Sequence, residues 1–447
     1  MLQRWTRLLQ APVVVYGFAR SVSAIAGTVP RSHLFPKESR MVSRVLSSRN
    51  FAIYLTGSAF SLHGLWIQRV AVGWLAWELT QSEVWLGLIA LSEFLPTVLF
   101  GPFFGVWADR LNRKTVAYIA TALSIGLSTL LFVLTVTGRM DIYILWVITA
   151  FVGIVSSAFQ PVRMSLIPSL VPRELLSEAV AAQSIVFNVS RFMGPALAGI
   201  AIATMGLASA FALNAISYFA MIAALLLVKL RTTRSGGQKS HFFAELHEGI
   251  AYTLRHPTIR QQLMIVAVSA LFGRAVIVML PAFAGGIFDG SSSTLATLTS
   301  ASGAGAVVAG ICLTRLGSGA RLLRSTVLAT VATGVLMAGL GVTQDYAIAI
   351  ALVAVLGFAL TLVGIGSQSL IQTQVREAMR GRVLSLWAAV AFSAPAIGSV
   401  MIGWIADRIG LGPTTLFSGL LCSVLAILLT WRVYYTSSEE AFAGSVD

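Results

Sequence analysis

Charge is scarce in this sequence: only 11% of its 447 residues are Asp, Glu, Lys or Arg, and acids are the scarcer sign, 17 against 31 bases. Soluble globular domains carry about 25% charged residues, so most of this chain is not built to face water. Cysteine is nearly absent too. Cys312 and Cys422 both fall inside apolar runs, which excludes a disulfide framework or a cysteine metal cluster and leaves both as small packing residues. No Gly-x-x-x-x-Gly-Lys-Ser/Thr loop occurs, so the chain carries no ATPase motor of its own. No His-Glu-x-x-His run or nucleophile elbow occurs, and the polar connections are too short for a catalytic domain. The expectation is a protein that is not an enzyme and needs neither cofactor nor metal.

What the sequence has instead is apolar length. Hydrophobic residues make up 57% of the chain, and the mean hydropathy is +0.84. Apolar runs separated by charged breaks fall at 51–77, 85–107, 115–137, 142–159, 179–204, 207–228, 263–284, 294–313, 322–342, 346–371, 383–406 and 412–431. About 20 residues rising 1.5 Å each cross roughly 30 Å of hydrocarbon. The runs are continuously apolar rather than alternating, which favours helices over a barrel, since lipid offers no partner to an open backbone. The predicted fold is all-α, a polytopic membrane protein with twelve transmembrane helices in two six-helix bundles.

The net charge of +14 would point to nucleic acid in a soluble chain, but the bases are sorted by side. With the N-terminus inside, the inner segments hold Arg44, Arg49, Arg110, Arg113, Lys114, Arg163, Arg173, Lys229, Arg255, Arg315, Arg324, Arg376, Arg382 and Arg432, among others. The outer connections hold only Arg139 and Arg408, with Glu78, Glu83, Asp141, Asp289, Asp345 and Asp407. This predicts two cytoplasmic termini, a bilayer and a small molecule as partners, and no nucleic acid. Residues 1–49 read as a disordered cytoplasmic extension, with Met41 an alternative start and a transit peptide the sharper reading of its Arg- and Ser-rich part. The boundaries that follow are an N-terminal bundle at 50–230, a cytoplasmic linker at 231–258, a C-terminal bundle at 259–433 and a tail at 434–447.

The two halves repeat each other in parallel. Gly105-Val-Trp-Ala-Asp109-Arg110-Leu aligns with Gly310-Ile-Cys-Leu-Thr314-Arg315-Leu at an offset of 205 residues, and Gly206-Leu207 with Gly410-Leu411 at 204. Apolar helices align with anything, but these matches are glycine or polar positions in connections. Over residues 50–432 the chain resembles the major facilitator superfamily of membrane transporters. Gly105 through Arg113-Lys114 is similar to that superfamily's signature between spans 2 and 3, with Asn112 where the family commonly has Gly. Trp74-Leu-Ala-Trp-Glu-Leu-Thr80, Asn188-Val-Ser-Arg191-Phe-Met-Gly194-Pro195-Ala-Leu-Ala-Gly199 and Arg380-Gly381-Arg382 resemble the branch holding bacterial siderophore exporters, macrolide efflux pumps and a lysophospholipid flippase. Gly194, Pro195 and Gly199 also resemble the antiporter signature of helix 5, with Ser190 in place of its upstream glycine.

Physics gives the Gly105–Lys114 turn a role of its own. Gly105 lets span 2 end against a neighbour, and Asp109 can accept from the free N–H groups that open span 3. Arg110, Arg113 and Lys114 can bind inner headgroups, Asp109 or a facing helix end. The reading is a cytoplasmic latch; a solvated basic turn that merely obeys topology is the plainer alternative.

A charge near mid-bilayer costs several kcal/mol unless it is paired or wet, and four such charges occur. Arg69 and Glu93 each lie about 12 Å from the outer ends of adjacent antiparallel spans, so they can pair. Arg274 is the counterpart of Arg69 at an offset of 205, and Arg191 has no acid on its own helix. Three cations with one acid point to a positive cavity or an anionic group to be received. Glu93 is then the sole deep acid able to carry a proton, and a static Arg69–Glu93 tie is the equal alternative. Tyr54, His63, Trp66 and Gln68 make span 1 a candidate cavity wall, with packing or lipid contact the plainer reading of each. The expected function is proton-coupled export of an amphipathic small molecule, drug-like or siderophore-like, by alternating access in a bacterial inner membrane, as a monomer. The alternatives are lysophospholipid flipping and a scaffold or receptor that transports nothing.

Overall fold

The computed structural model describes residues 45, 47–110, 112–229, 242–317 and 319–443. The expected extension up to residue 44, the Ser235–Gly237 stretch of the linker and residues 444–447 lie outside them. Within the described residues the chain is helical and holds no strand, as the continuous apolar runs predict.

In chain order the long helices are α1 (Arg49–Thr80), α2 (Glu83–Arg110), α3 (Arg113–Val136), α4 (Ile142–Leu166), α5 (Leu176–Met205) and α6 (Ala208–Leu227). A short amphipathic helix, Phe242–Arg255, precedes α7 (Pro257–Val268), which continues through a π-helical segment Ser269–Arg274 into Ala275–Val278. After a further π turn at Phe283–Ile287 come α8 (Ser292–Leu316), α9 (Ala320–Val342), α10 (Tyr346–Gln374), α11 (Glu377–Ile409) and α12 (Leu411–Ala443). Among the described residues eleven helices are long and apolar enough to cross a membrane. The long helix outside that set is α1, whose His63, Gln68 and Arg69 dilute its apolar stretch.

The helices run longer than their apolar runs. α11 starts at Glu377 rather than 383, α7 starts at Pro257 inside the expected linker, and α12 continues to Ala443 through most of the expected tail. The reason is that hydropathy measures the hydrocarbon layer, whereas backbone hydrogen bonds carry a helix on into water until a cap or proline stops it. Pro257 suits its place because the first helical turn needs no N–H from it.

Several acids between apolar runs serve as caps. Asp141 Oδ1 accepts from the Tyr143 and Ile144 N–H groups at 2.8 and 3.0 Å, and Asp345 Oδ1 from Ala347 and Ile348 at the same distances. A carboxylate there satisfies orphan donors and meets the positive end of the helix dipole. The end carrying these residues with Glu78, Glu83, Asp289 and Asp407 is called the acid-rich end below.

α1 packs on α5 and α6, α2 on α4, and α3 on α4 and α6; α8 packs on α10, and α9 on α10 and α12. The first six helices meet the last six chiefly through α2 against α11 and α5 against α8. Missing side chains make these contacts close. A Cβ on Gly403 would collide with the Glu83 backbone, one on Gly87 with the Ser399 backbone, and one on Gly199 with Ala296. Asp407 of α11 then caps the start of α2, accepting from Glu83 N at 3.1 Å, from Val84 N at 3.4 Å and from Ser82 Oγ at 3.1 Å. A single apolar core holds Trp74, Trp77, Leu86 and Ile89 together with Met279, Phe283, Leu298 and Ile402. The remaining clusters do not mix the two sets: one gathers Phe51, Tyr54, Leu166 and Met221, and the others gather Val266 and Leu362, or Ile259 and Val383. The two sets are therefore welded at the acid-rich end and packed separately away from it.

Gly403→Leu is expected to destabilise the protein by about 1–3 kcal/mol, since a side chain there must push α2 from α11. Gly126→Leu, in a position with nothing within 4 Å, is the control and should melt like the parent in a thermal unfolding assay.

Candidate substrate and coupling site

Three of the four deep charges come together around one indole. Arg69 of α1 donates from Nε to Glu93 Oε1 of α2 at 2.5 Å, with side chains 24% and 14% exposed. A narrow recess beside them is lined by Gln68, Val72, Leu131 and Thr149. The Arg69 guanidinium also stands 4.6 Å from the Trp66 ring, and that of Arg191 on α5 stands 5.9 Å from it. Such cation–π contacts add about 0.5–2 kcal/mol each. Trp66 gains its place because a Cβ on Gly194 would strike its own Cβ. Its ring edge packs on Phe187 at 6.1 Å, and its Nε1–H is buried without an acceptor.

Arg274 closes the π segment of α7 and lies against Gly364 of α10, in a recess also lined by Ser269, Leu360 and Ala391. The positive charges of Arg274 and Arg69 both act on Arg191. Among the described residues neither Arg191 nor Arg274 meets an acid or a hydrogen-bond acceptor. The repeat explains part of this: the position equivalent to Glu93 falls at Thr297 or Leu298, so Arg274 has no counterpart of the acid that serves Arg69. Pro195 and Pro395 interrupt the hydrogen-bond ladders of α5 and α11 without ending either helix. Each proline lacks an N–H, so the carbonyls four residues earlier, those of Arg191 and Ala391, lose their usual donors beside the two free arginines.

The other candidates from span 1 separate. His63 Nδ1 donates to the Ala59 carbonyl at 2.8 Å and lies 3.0 Å from Ser190 Oγ, tying α1 to α5. Gln68 lines the recess, but its Oε1 already accepts from Ser128 Oγ and Asn214 Nδ2, both at 2.8 Å, so it joins α1, α3 and α6. Tyr54 is not brought to the site: it is 1% exposed in the apolar cluster with Phe51 and Leu166. Gly199 serves the α5–α8 contact instead of the cavity. Sequence reasoning missed the Ser128–Asn214 partnership and the π segment. The first left no periodic signal, and the second carries only Gly273, whose bare Cα admits Thr333 and Leu360.

The signature turn also differs from expectation. α2 runs to Arg110, so Asp109 is still in its last turn, and the N–H groups of Lys114 and Thr115 are capped by Asn112 Oδ1 at 3.0 and 3.4 Å. The residue directly before the first helical one is the one that can reach those donors. Arg113 donates to the Ser165 carbonyl at 3.2 Å and Lys114 Nζ to the Val228 carbonyl at 2.9 Å, so the two bases bind the C-terminal ends of α4 and α6. Cations at those ends meet unpaired carbonyls and the negative end of the dipole. The side chains of Asp109 and Arg110, and the surroundings of Gly105, lie outside the described set.

Residues 44–445 match the family described as transmembrane secretion effector, MFS_3. The chain is 23% identical to the staphyloferrin A transporter of Staphylococcus aureus, covering 88% of this chain and 99% of that one. It is likewise 23% identical to macrolide efflux protein A of Streptococcus pyogenes, covering 83% and 93%. Among solved structures, a bacterial homologue of the human lysosomal transporter Spinster superposes with a TM-score of 0.66 at 15% identity, covering 86% of this chain and 97% of that one. With a helical membrane architecture, no catalytic motif and a match over nearly its whole length, the chain belongs to the MFS_3 family of major facilitator superfamily transporters.

Proposed function

We propose that this transporter is a secondary active exporter of an amphipathic small molecule, driven by protons, with Glu93 as the coupling acid. The observation that carries the proposal is the Arg69–Glu93 pair: one acid, partly exposed, bound to a cation between helices. Protonation of Glu93 loosens its hold on Arg69, while cargo binding restores the ionised pair and so expels the proton. Proton and cargo thereby occupy the protein in alternation, which is the requirement for exchange. Export rather than uptake is supported by the printed name of the macrolide efflux relative and by the family's description as a secretion effector. Lysophospholipid flipping, the other transport reading of the sequence, has no support from them.

In this reading α1 is a twelfth span, and residues 50–230 and 259–433 are two six-helix bundles that rock about the site. The acid-rich end faces outward and both termini lie in the cytoplasm of a bacterial cell, with the monomer as the working unit. The weld at the acid-rich end then closes the outer side, leaving the site open to the cytoplasm for loading.

Two outcomes test this. Glu93→Gln, reconstituted in vesicles, is expected to keep substrate binding but lose substrate-driven proton movement; unchanged proton flux removes Glu93 from coupling. In a background with Cys312 and Cys422 replaced by Ala, a cysteine at Gln344 should react with an impermeant maleimide on intact cells, and one at His247 only after permeabilisation. Labelling of both from one side would overturn the topology and the bundles with it.

A further inference from the structure

The deep charges do not balance, and the imbalance has a definite size. Arg69, Arg191 and Arg274 supply three positive charges and Glu93 one negative, and the pair formed by Arg69 and Glu93 accounts for one of each. Two guanidiniums are left, on α5 and on the π segment of α7, each without an acceptor among the described residues. They also stand close enough for their charges to repel. A net charge of two in a low-dielectric interior is costly, and it becomes more so when surrounding helices close and expel water.

Resting on the export reading above, we infer that the cargo is an organic anion bearing at least two carboxylates, one received by Arg191 and one by Arg274. A guanidinium offers a planar fork that fits a carboxylate with two parallel hydrogen bonds. Two such groups on one molecule cancel the residual charge, and they bridge helices from the first six to helices from the last six. The same molecule thus removes the repulsion that opposes closure around it, which links occupancy to conformational change. Trp66 completes the receptor: its ring offers an apolar face beside Arg191, and its unpartnered Nε1–H can donate to a further oxygen of the cargo. Arg69 stays outside this set as long as Glu93 is ionised, so the site distinguishes the loading cations from the coupling one. A cationic drug meets three like charges in the same place and is disfavoured.

The test compares culture supernatants of a strain deleted for this protein with the same strain complemented by the parent, Arg191→Gln or Arg274→Gln, using untargeted mass spectrometry. Compounds whose release depends on the parent are expected to carry two or more ionised carboxylates, and each glutamine variant should weaken apparent affinity about tenfold to a hundredfold, the range for one lost charged hydrogen-bonding partner. Melting temperatures of the purified variants should stay level or rise, because each substitution deletes an unpaired charge; a fall in step with lost export would make the arginines structural and overturn the inference. Dependent compounds that are neutral, cationic or lipidic would overturn it and leave the export reading standing. If no compound depended on the protein, the export reading would fall, and this inference with it.

Discussion

A charge carried into the middle of a membrane must be answered by an opposite charge, by water or by a ligand, and this rule decides which residues of the chain can be functional. Arg69 is answered by Glu93 on the neighbouring helix. Among the described residues Arg191 meets the Trp66 face and Arg274 the Gly364 backbone, and neither meets an acid. Retaining two unanswered guanidiniums is a standing cost to folding, and a structural purpose would have been met more cheaply by leucine. Their presence is thus evidence that something enters the site. The low hydropathy of α1 has the same origin, since the helix that supplies Arg69, Trp66, His63 and Gln68 gives up apolar surface to do so.

The scaffold around these charges is a repeat, and close contacts obey it. Gly194 of α5 admits Trp66 of α1, and Gly398 of α11 admits the backbone at Leu271 of α7, positions related by offsets of 204 and 205. Gly199 meets Ala296 of α8, and Gly403, again 204 residues on, meets Glu83 of α2. Glycine is required because helices that approach backbone to backbone have no room for a Cβ, and small residues are the usual means of such packing in membranes. The same few positions therefore set both the fold within each half and the contact between halves.

Reading depth along helices was enough to pair Arg69 with Glu93, because a rise of 1.5 Å per residue turns sequence position into height. The offset of the repeat likewise exposed Arg274. Helix ends were misjudged by up to a dozen residues, since apolarity reports the lipid layer while capping and backbone bonding set the true ends. The start of α3 is capped by Asn112, which sequence reading passed over, because α2 persists to Arg110 and leaves Asn112 directly before the first turn of α3. Tyr54 and Gln68 share a mildly polar face with the site on a helical wheel, yet Tyr54 is sealed in an apolar cluster and Gln68 is bound by Ser128 and Asn214. Helical periodicity names a face; whether that face meets a cavity or another helix depends on partners far away in sequence.

The contrast between a symmetric scaffold and asymmetric charge is what gives the proposed cycle a direction. If Thr297 or Leu298 were an acid, Arg274 would be paired as Arg69 is, both halves would bind protons alike, and no cation would be reserved for cargo. In the proposed cycle only α2 carries the deep acid, so proton binding acts on the first half alone, while the free arginine of α7 lies in the second. Protonation and cargo binding then bias the same interface from opposite sides, and each can reverse the effect of the other. The single carboxylate is sufficient for this, provided that it is the only one deep enough to compete.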